Sequence, residues 1–153
     1  MTTSPLTFRA IQTSDLDQVD QIEQRSAEHP WRRAHFADSL TSGYRCILVE
    51  QNQHPVGHCI MMIAAGEASI LILTIDKNSQ GKGIGKQLLQ HMIMQAGQSG
   101  CDTLLLEVRR SNHRAFNLYL NEGFSEIGVR RNYYPTNNGS EDAIVMAMDP
   151  SLY

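Results

Sequence analysis

Between positions 68 and 108 the chain sets one amphipathic helix between two apolar strands, and few folds accept that arrangement. Ala68 to Asp76 reads as the first strand. Ile84, Leu88, Leu89, Met92, Ile93 and Ala96 then recur at helical spacing until Gly97 and Gly100 end the helix. Thr103 to Val108 carries a leucine run that reads as a buried strand. A helix with one apolar stripe, joined at both ends to apolar strands, has to cover a sheet, which places the chain in the α/β class.

The joint between the first strand and the helix is Ser79-Gln80-Gly81-Lys82-Gly83-Ile84-Gly85-Lys86. Alternate glycines let a backbone approach a ligand closely and turn its N–H groups outward. The helix that follows adds its own unpaired N–H groups and the positive end of its dipole, so the segment is a candidate anion cradle. Taken alone, it is equally a tight glycine turn before a helix. Two nucleotide-binding signatures fail on it. A G-x-G-x-x-G loop starting at Gly83 needs a small residue where Leu88 stands. A Walker A loop ending at Gly85-Lys86 needs Gly and Ser or Thr at positions 80 and 87, and both are glutamine.

The remaining elements fill out one domain over residues 1–153. Leu6 to Ile11 reads as an edge strand. Thr13 and Ser14 offer N-caps to a helix carrying Leu16, Val19 and Ile22, and His29-Pro30-Trp31 breaks that helix. A short helix with Phe36 and Leu40 ends near Gly43. Strands Tyr44 to Glu50 and Val56 to Ala64 are joined by a polar link at residues 51–55, and Gly66-Glu67 forms the next turn. After the leucine strand, Ser111 or Asn112 caps a helix with Ala115, Leu118 and Tyr119 that stops at Gly123. Phe124 to Tyr134 and Ala143 to Met148 are the last strands, with a polar loop at residues 136–140.

A net charge of −3 with interspersed signs argues against a nucleic-acid partner. Cys46, Cys59 and Cys101 are odd in number and form no C-x-x-C pair, so they read as reduced core thiols of a cytosolic protein. His54 and His58 have ligand spacing only on a helix, and they fall across a turn containing Pro55, so no metal is expected. Met-Thr-Thr-Ser-Pro has no leader pattern and no apolar run spans a bilayer. The expectation is a soluble, cytoplasmic domain with no membrane partner; its oligomeric state stays open.

The spacing Gln80-x-x-Gly83-x-Gly85, after a buried strand and before a long helix, is similar to the pyrophosphate loop of the GNAT family of N-acetyltransferases. Ile22-Glu23-Gln24, Pro30-Trp31, Leu106-Glu107-Val108-Arg109, Ser111-Asn112, Leu118-Tyr119, Gly123-Phe124, Arg130-Arg131-Asn132-Tyr133-Tyr134-Pro135 and Glu141-Asp142-Ala143-Ile144 follow in order. From about residue 8 to 148 these segments resemble the RimI-type branch, the ribosomal-protein-alanine N-acetyltransferases. The resemblance implies a mixed, mostly antiparallel sheet flanked by helices, with splayed central strands. It also implies transfer of an acetyl group from acetyl coenzyme A to the α-amine of an N-terminal alanine on a small-subunit ribosomal protein, without a metal.

The same resemblance implies roles for individual residues. Glu107 stands at the position of the proton acceptor and Tyr119 at that of the proton donor. By residue chemistry alone, Glu107 is equally a strand-end carboxylate paired with Arg109 or Arg110, whereas Tyr119 reads first as a core tyrosine. Leu73, Thr74 and Ile75 match the strand whose main chain pairs with the pantetheine arm. Gly81, Lys82, Gly83, Ile84, Gly85 and Lys86 match the diphosphate cradle, and Asn112 matches a coenzyme contact while also suiting a helix cap. Gly81 departs from an arginine common in relatives, and Ile72 and Thr74 depart from Asn and Ala. Residues 28–36 and 133–142 are expected beside the acceptor peptide, with Glu67, Glu141 and Asp142 as partners for a basic one. An acetyltransferase for small amines, lysine side chains or several N-termini, and a coenzyme A sensor without turnover, are the competing readings.

Overall fold

The structure, a computed structural model, describes residues 4–153. Its elements run β1 (Leu6–Ala10), α1 (Leu16–Ser26), α2 (Arg33–Thr41), β2 (Arg45–Gln51), β3 (His54–Ala64), β4 (Glu67–Ile75), α3 (Ile84–Gln98), β5 (Thr103–Arg109), α4 (His113–Asn121), β6 (Ser125–Thr136) and β7 (Gly139–Met148). The strands form one sheet in the order β1-β2-β3-β4-β5-β7-β6, so the first strand lies at an edge as expected. The chain divides into two compact units, Met1–Met62 with Leu71–Met92, and Ile63–Ile70 with Ile93–Tyr153.

In the first unit the stripe of α1 supplies Leu16, Val19 and Ile22 to the interior. Leu16 and Val19 join Ile11, Phe36, Cys46, Leu48 and Ile60 in one buried cluster, with Trp31, Leu40, Tyr44 and Ile72 packed against it. Full burial of such side chains contributes about 1.5–3 kcal/mol each, which holds α1 and α2 to the sheet. The caps expected at Thr13 and Ser14 do not form. Instead Asp15, in a short turn before α1, accepts from the Gln12 backbone N–H at 2.7 Å and binds both terminal nitrogens of Arg9. The longer acid of that turn reaches its start, and the shorter hydroxyls are not needed.

The polar link between β2 and β3 is shorter than expected. Only Asn52 and Gln53 turn, both at positive φ as a tight antiparallel hairpin requires. His54 and Pro55 already belong to β3, where Val49 faces Gly57 and Glu50 faces Pro55 across a bulge. A bulge tolerates the missing proline N–H. Likewise Ala65 and Gly66, rather than Gly66 and Glu67, make the next turn.

In the second unit β4 runs parallel to β5 from Glu67↔Thr103 to Ile70↔Leu106, while β4 continues to Ile75 and β5 to Arg109. β5 is antiparallel to β7 over Leu104↔Met148 to Arg109↔Ala143, and β7 to β6. The expected polar loop at 136–140 shrinks to two residues because both strands extend to Thr136 and Gly139. All three cysteines are free and buried. Burial pushes the Cys46 thiol up to about 11 and that of Cys59 further still. Among the described residues no helix is long and apolar enough to cross a membrane.

Candidate active site

The first unit presents the end of β4 and the glycine loop. Thr74 is buried, Leu73 and Ile75 are half-buried, and the loop residues Gly81, Lys82 and Gly83 are exposed. Gly57 on β3 sits so close to β4 that a Cβ there would lie 2.7 Å from the Thr74 carbonyl oxygen and 2.8 Å from the Ile75 Cδ1. Only glycine permits that approach.

Side chains lace the strand end to its surroundings. Gln80 donates from Nε2 to the Ile75 carbonyl at 3.0 Å, folding the loop back on β4. Asp76 accepts from Arg25 at 3.1 and 2.6 Å and from the Asn78 N–H at 3.2 Å. The guanidinium holds the Asp76 carboxyl below its ordinary range, with burial opposing it. Ser26 accepts from the Lys77 N–H at 2.9 Å. The hydroxyl of Thr74, a departure from the family pattern, turns onto the Glu23 carboxylate at 2.8 Å.

Gly81 and Gly83 hold φ of 78° and 79°, a region where side chains carrying a Cβ are strained. Nothing lies within 4 Å of a Cβ built on Gly83, so its conformation, not crowding, calls for glycine. The first bond of α3 runs from the Gln87 N–H to the Gly83 carbonyl at 3.2 Å. The amides of Ile84, Gly85 and Lys86 therefore precede the helical ladder and carry the positive end of its dipole. Lys82 and Lys86 add exposed ammonium groups. These residues fit a diphosphate group such as that of coenzyme A.

The second unit carries the two titratable candidates. Glu107 lies on β5 opposite Val145 of β7, with its side chain 26% exposed. Its partner is Arg130, whose Nε stands 2.7 Å from Oε1, and neither Arg109 nor Arg110. Arg109 lies over the Tyr134 ring at 4.3 Å and 3.8 Å from Glu141, while Arg110 faces Asp142 at 3.5 Å. Arg109 shares the face of Glu107 on β5, but Glu141 and the Tyr134 ring engage it, and Asp142 engages Arg110 in the turn that follows.

Arg130 stands at the start of a bulge in β6. Arg130 faces Ala143 and Tyr134 faces Glu141, so β6 spends two more residues than β7 over that stretch. Asn132 adopts φ 53° there, and its N–H goes to the Asp142 carboxylate at 2.9 Å. Burial, reinforced by the negative charge of Glu107, pushes the Tyr134 phenol up to about 12, against the opposing pull of Arg109.

Tyr119 is 8% exposed on α4, its ring meeting Phe124 edge-on at 5.7 Å. Asn112 caps that helix by accepting from the Ala115 N–H at 3.2 Å. Of the acidic residues expected to meet a peptide, Glu141 accepts from the Ser111 N–H and hydroxyl, and Asp142 accepts from the Asn132 N–H and pairs with Arg110. Glu67 is exposed at the start of β4. Tyr134 lies within the segment expected beside the peptide, whereas the sequence left Arg130 unassigned and gave Glu23 no role. The asparagine within Arg-Arg-Asn-Tyr-Tyr-Pro was the available signal, since asparagine favours the positive φ of a bulge. Among the described residues no three His, Cys, Asp or Glu side chains are grouped as metal ligands would be.

Residues 11–124 match the model of the acetyltransferase (GNAT) family. The chain is 38% identical over 146 residues to the [ribosomal protein bS18]-alanine N-acetyltransferase of Escherichia coli K12, covering 95% of this chain and 99% of that one. It is 36% identical to the enzyme of the same description from Haemophilus influenzae, covering 90% and 94% of the two chains. The crystal structure of the E. coli ribosomal-protein-S18-alanine N-acetyltransferase superposes with a TM-score of 0.91 over 97% of this chain and 96% of that one.

Proposed function

Because the chain belongs to the GNAT acetyltransferase family, we propose that it acetylates the α-amine of an N-terminal alanine on a small-subunit ribosomal protein. The observation that carries this reading is identity of 38% spread over nearly the whole of both chains. In this reading residues 1–153 act as one cytoplasmic acetyltransferase domain, using acetyl coenzyme A and neither a metal nor direct contact with nucleic acid or membrane.

Acetyl coenzyme A supplies an activated acetyl group as a thioester. Gly81, Lys82, Gly83, Ile84, Gly85 and Lys86 would hold its diphosphate through backbone N–H groups and two ammonium charges. The main chain of Leu73, Thr74 and Ile75 would pair with the pantetheine arm as an added strand. Asn112 would contact the coenzyme from the start of α4. An N-terminal amine titrates near ~7.7–8.0 in model compounds, so a carboxylate can take its proton directly or through one water. Glu107 is that acceptor, released from Arg130 as the cationic amine arrives. A new N–C bond forms as the C–S bond breaks, and the Tyr119 hydroxyl gives its proton to the departing sulfur.

The test is turnover of acetyl coenzyme A on a synthetic peptide beginning with the alanine of the ribosomal substrate, against the same peptide with a blocked amine. Acetylation of the free amine alone is expected. Equal rates on both peptides, through internal lysines, would overturn the N-terminal assignment. Mass spectrometry of the proteome with and without the protein then identifies the N-terminus that loses its acetyl group.

A further inference from the structure

One buried polar group in the first unit has no part in the reaction as described. Glu23 and His58 are 0% exposed, and Thr74 7%. The Glu23 carboxylate gathers three partners. Oε1 lies 2.9 Å from His58 Nε2 and accepts from the Thr74 hydroxyl at 2.8 Å, while Oε2 accepts from the Trp31 backbone N–H at 2.9 Å. His58 Nδ1 is buried without a hydrogen-bond partner. With the carboxylate ionised, the proton of a neutral imidazole belongs on Nε2, and a bare lone pair at Nδ1 is the less costly atom to leave unmatched.

A buried polar cluster is a poor way to stabilise a core, since apolar side chains of the same volume serve as well or better. What the carboxylate alone supplies is direction. It fixes the backbone of Trp31, ahead of α2, to α1, and it fixes Thr74, in the middle of Leu73–Ile75, to the same carboxylate. The rings of Trp31, Phe36 and His58 reinforce this link, with centroids 5.2 and 5.1 Å apart in succession.

We propose that Glu23 is a positioning residue that couples the cosubstrate strand to the Trp31 segment, so that coenzyme seated along Leu73–Ile75 sets the placement of the segment beside the acceptor peptide. The inference rests on the functional reading above for what occupies each side. Loss of the carboxylate loosens the acceptor side while the diphosphate cradle at Gly81–Lys86, which shares none of these bonds, continues to bind.

Trp31 is the only tryptophan in the chain, so its fluorescence reports on this segment alone. The experiment follows coenzyme A titration by Trp31 emission and by calorimetry in parallel, for the full chain and for Glu23→Ala and Glu23→Gln. In the parent, emission is expected to change with the calorimetric midpoint. In Glu23→Ala, calorimetric binding persists, the emission response disappears, and the KM for an alanine-starting peptide rises by about tenfold or more, the effect of one charge-assisted hydrogen bond, with less change in kcat. Glu23→Gln restores the response in part. Its amide oxygen still accepts from Trp31, and its NH2 donates to His58 once that proton moves to Nδ1.

An unchanged emission response and peptide KM in Glu23→Ala would overturn the proposal. So would parallel loss of binding and response, which marks a general structural defect. If Glu23→Ala does not fold, Thr74→Val removes one partner without changing shape, and an undiminished response in it overturns the coupling. A parent that binds no coenzyme A refutes the functional reading instead. In that event acrylamide quenching of Trp31 decides the anchoring by itself, and equal quenching in parent and Glu23→Ala overturns it.

Discussion

Arg130 on β6 extends over β7 to place its Nε 2.7 Å from Oε1 of Glu107 on β5. A carboxylate so held is already paired with a cation, so an incoming ammonium group exchanges one positive partner for another. The guanidinium side chain is 57% exposed, and such a pair contributes little to folding. Arg130→Gln is therefore expected to shift stability by less than about 1 kcal/mol, measured by thermal denaturation. Its effect belongs in the kinetics, as a changed KM for the peptide.

Glu107→Gln should lower kcat by roughly 10²-fold, the modest end of general-base catalysis, because positioning of the two substrates still accelerates the reaction. Coenzyme A affinity should not change. A pH–rate profile that keeps the acidic limb of the parent would remove Glu107 from the role of base.

Tyr119→Phe should reduce kcat by roughly 10²–10⁴ and leave coenzyme affinity nearly as it was. The ring still packs on Phe124, so denaturation curves serve as the control for folding. Unaltered kcat would assign Tyr119 to the core alone.

Gly83→Ala places a Cβ at φ 79° with open space around it, so the whole effect is backbone strain of about 1–2 kcal/mol. The chain relieves it by moving the loop, and calorimetry should record weaker coenzyme A binding. Gly57→Ala acts differently. Its methyl meets the Thr74 carbonyl at 2.7 Å, and overpacking there should destabilise the protein by about 1–3 kcal/mol.

Asp15 and Asp76 have carboxyls held below their ordinary values by hydrogen bonds from Arg9 and Arg25. A depressed carboxyl stabilises the fold above its ordinary range and loses that contribution as pH falls through the lower folded value. With Arg25 45% exposed, the Asp76 pair is expected to contribute about 1–2 kcal/mol at neutral pH. Asp76→Asn should thus be less stable near pH 7, and denaturant curves of the two proteins should converge as the pH drops below about 4. A gap that stays constant down to pH 2 would contradict the assignment.

Elements with strong periodicity are legible in the amino-acid sequence. The stripe from Ile84 to Ala96 gave α3 its full extent, and the leucines gave β5. Boundaries at turns were less so. Pro55 looks like a turn residue, yet a bulge admits it to β3, and no local pattern announces that bulge. The family resemblance singled out Glu107, Tyr119 and the glycine loop as candidates, since each lies next to an element of clear period. The pairing of Glu107 with Arg130 was not legible, since it is made across β7 between two strands that only the sheet order brings together. Glu23 was hidden for another reason. A glutamate in a polar-rich helix looks solvated, and only the meeting of α1 with His58 and Thr74 takes it out of water.

The seclusion of Cys46, Cys59 and Cys101 bears on the fidelity of acyl handling. A thioester passes its acyl group readily to any accessible thiolate, and transthioesterification onto the protein would stall it in an unproductive adduct. Here every sulfhydryl lies inside, and two of them are kept in the unreactive protonated state. The same seclusion should leave all three thiols unalkylated by iodoacetamide while the protein stays folded.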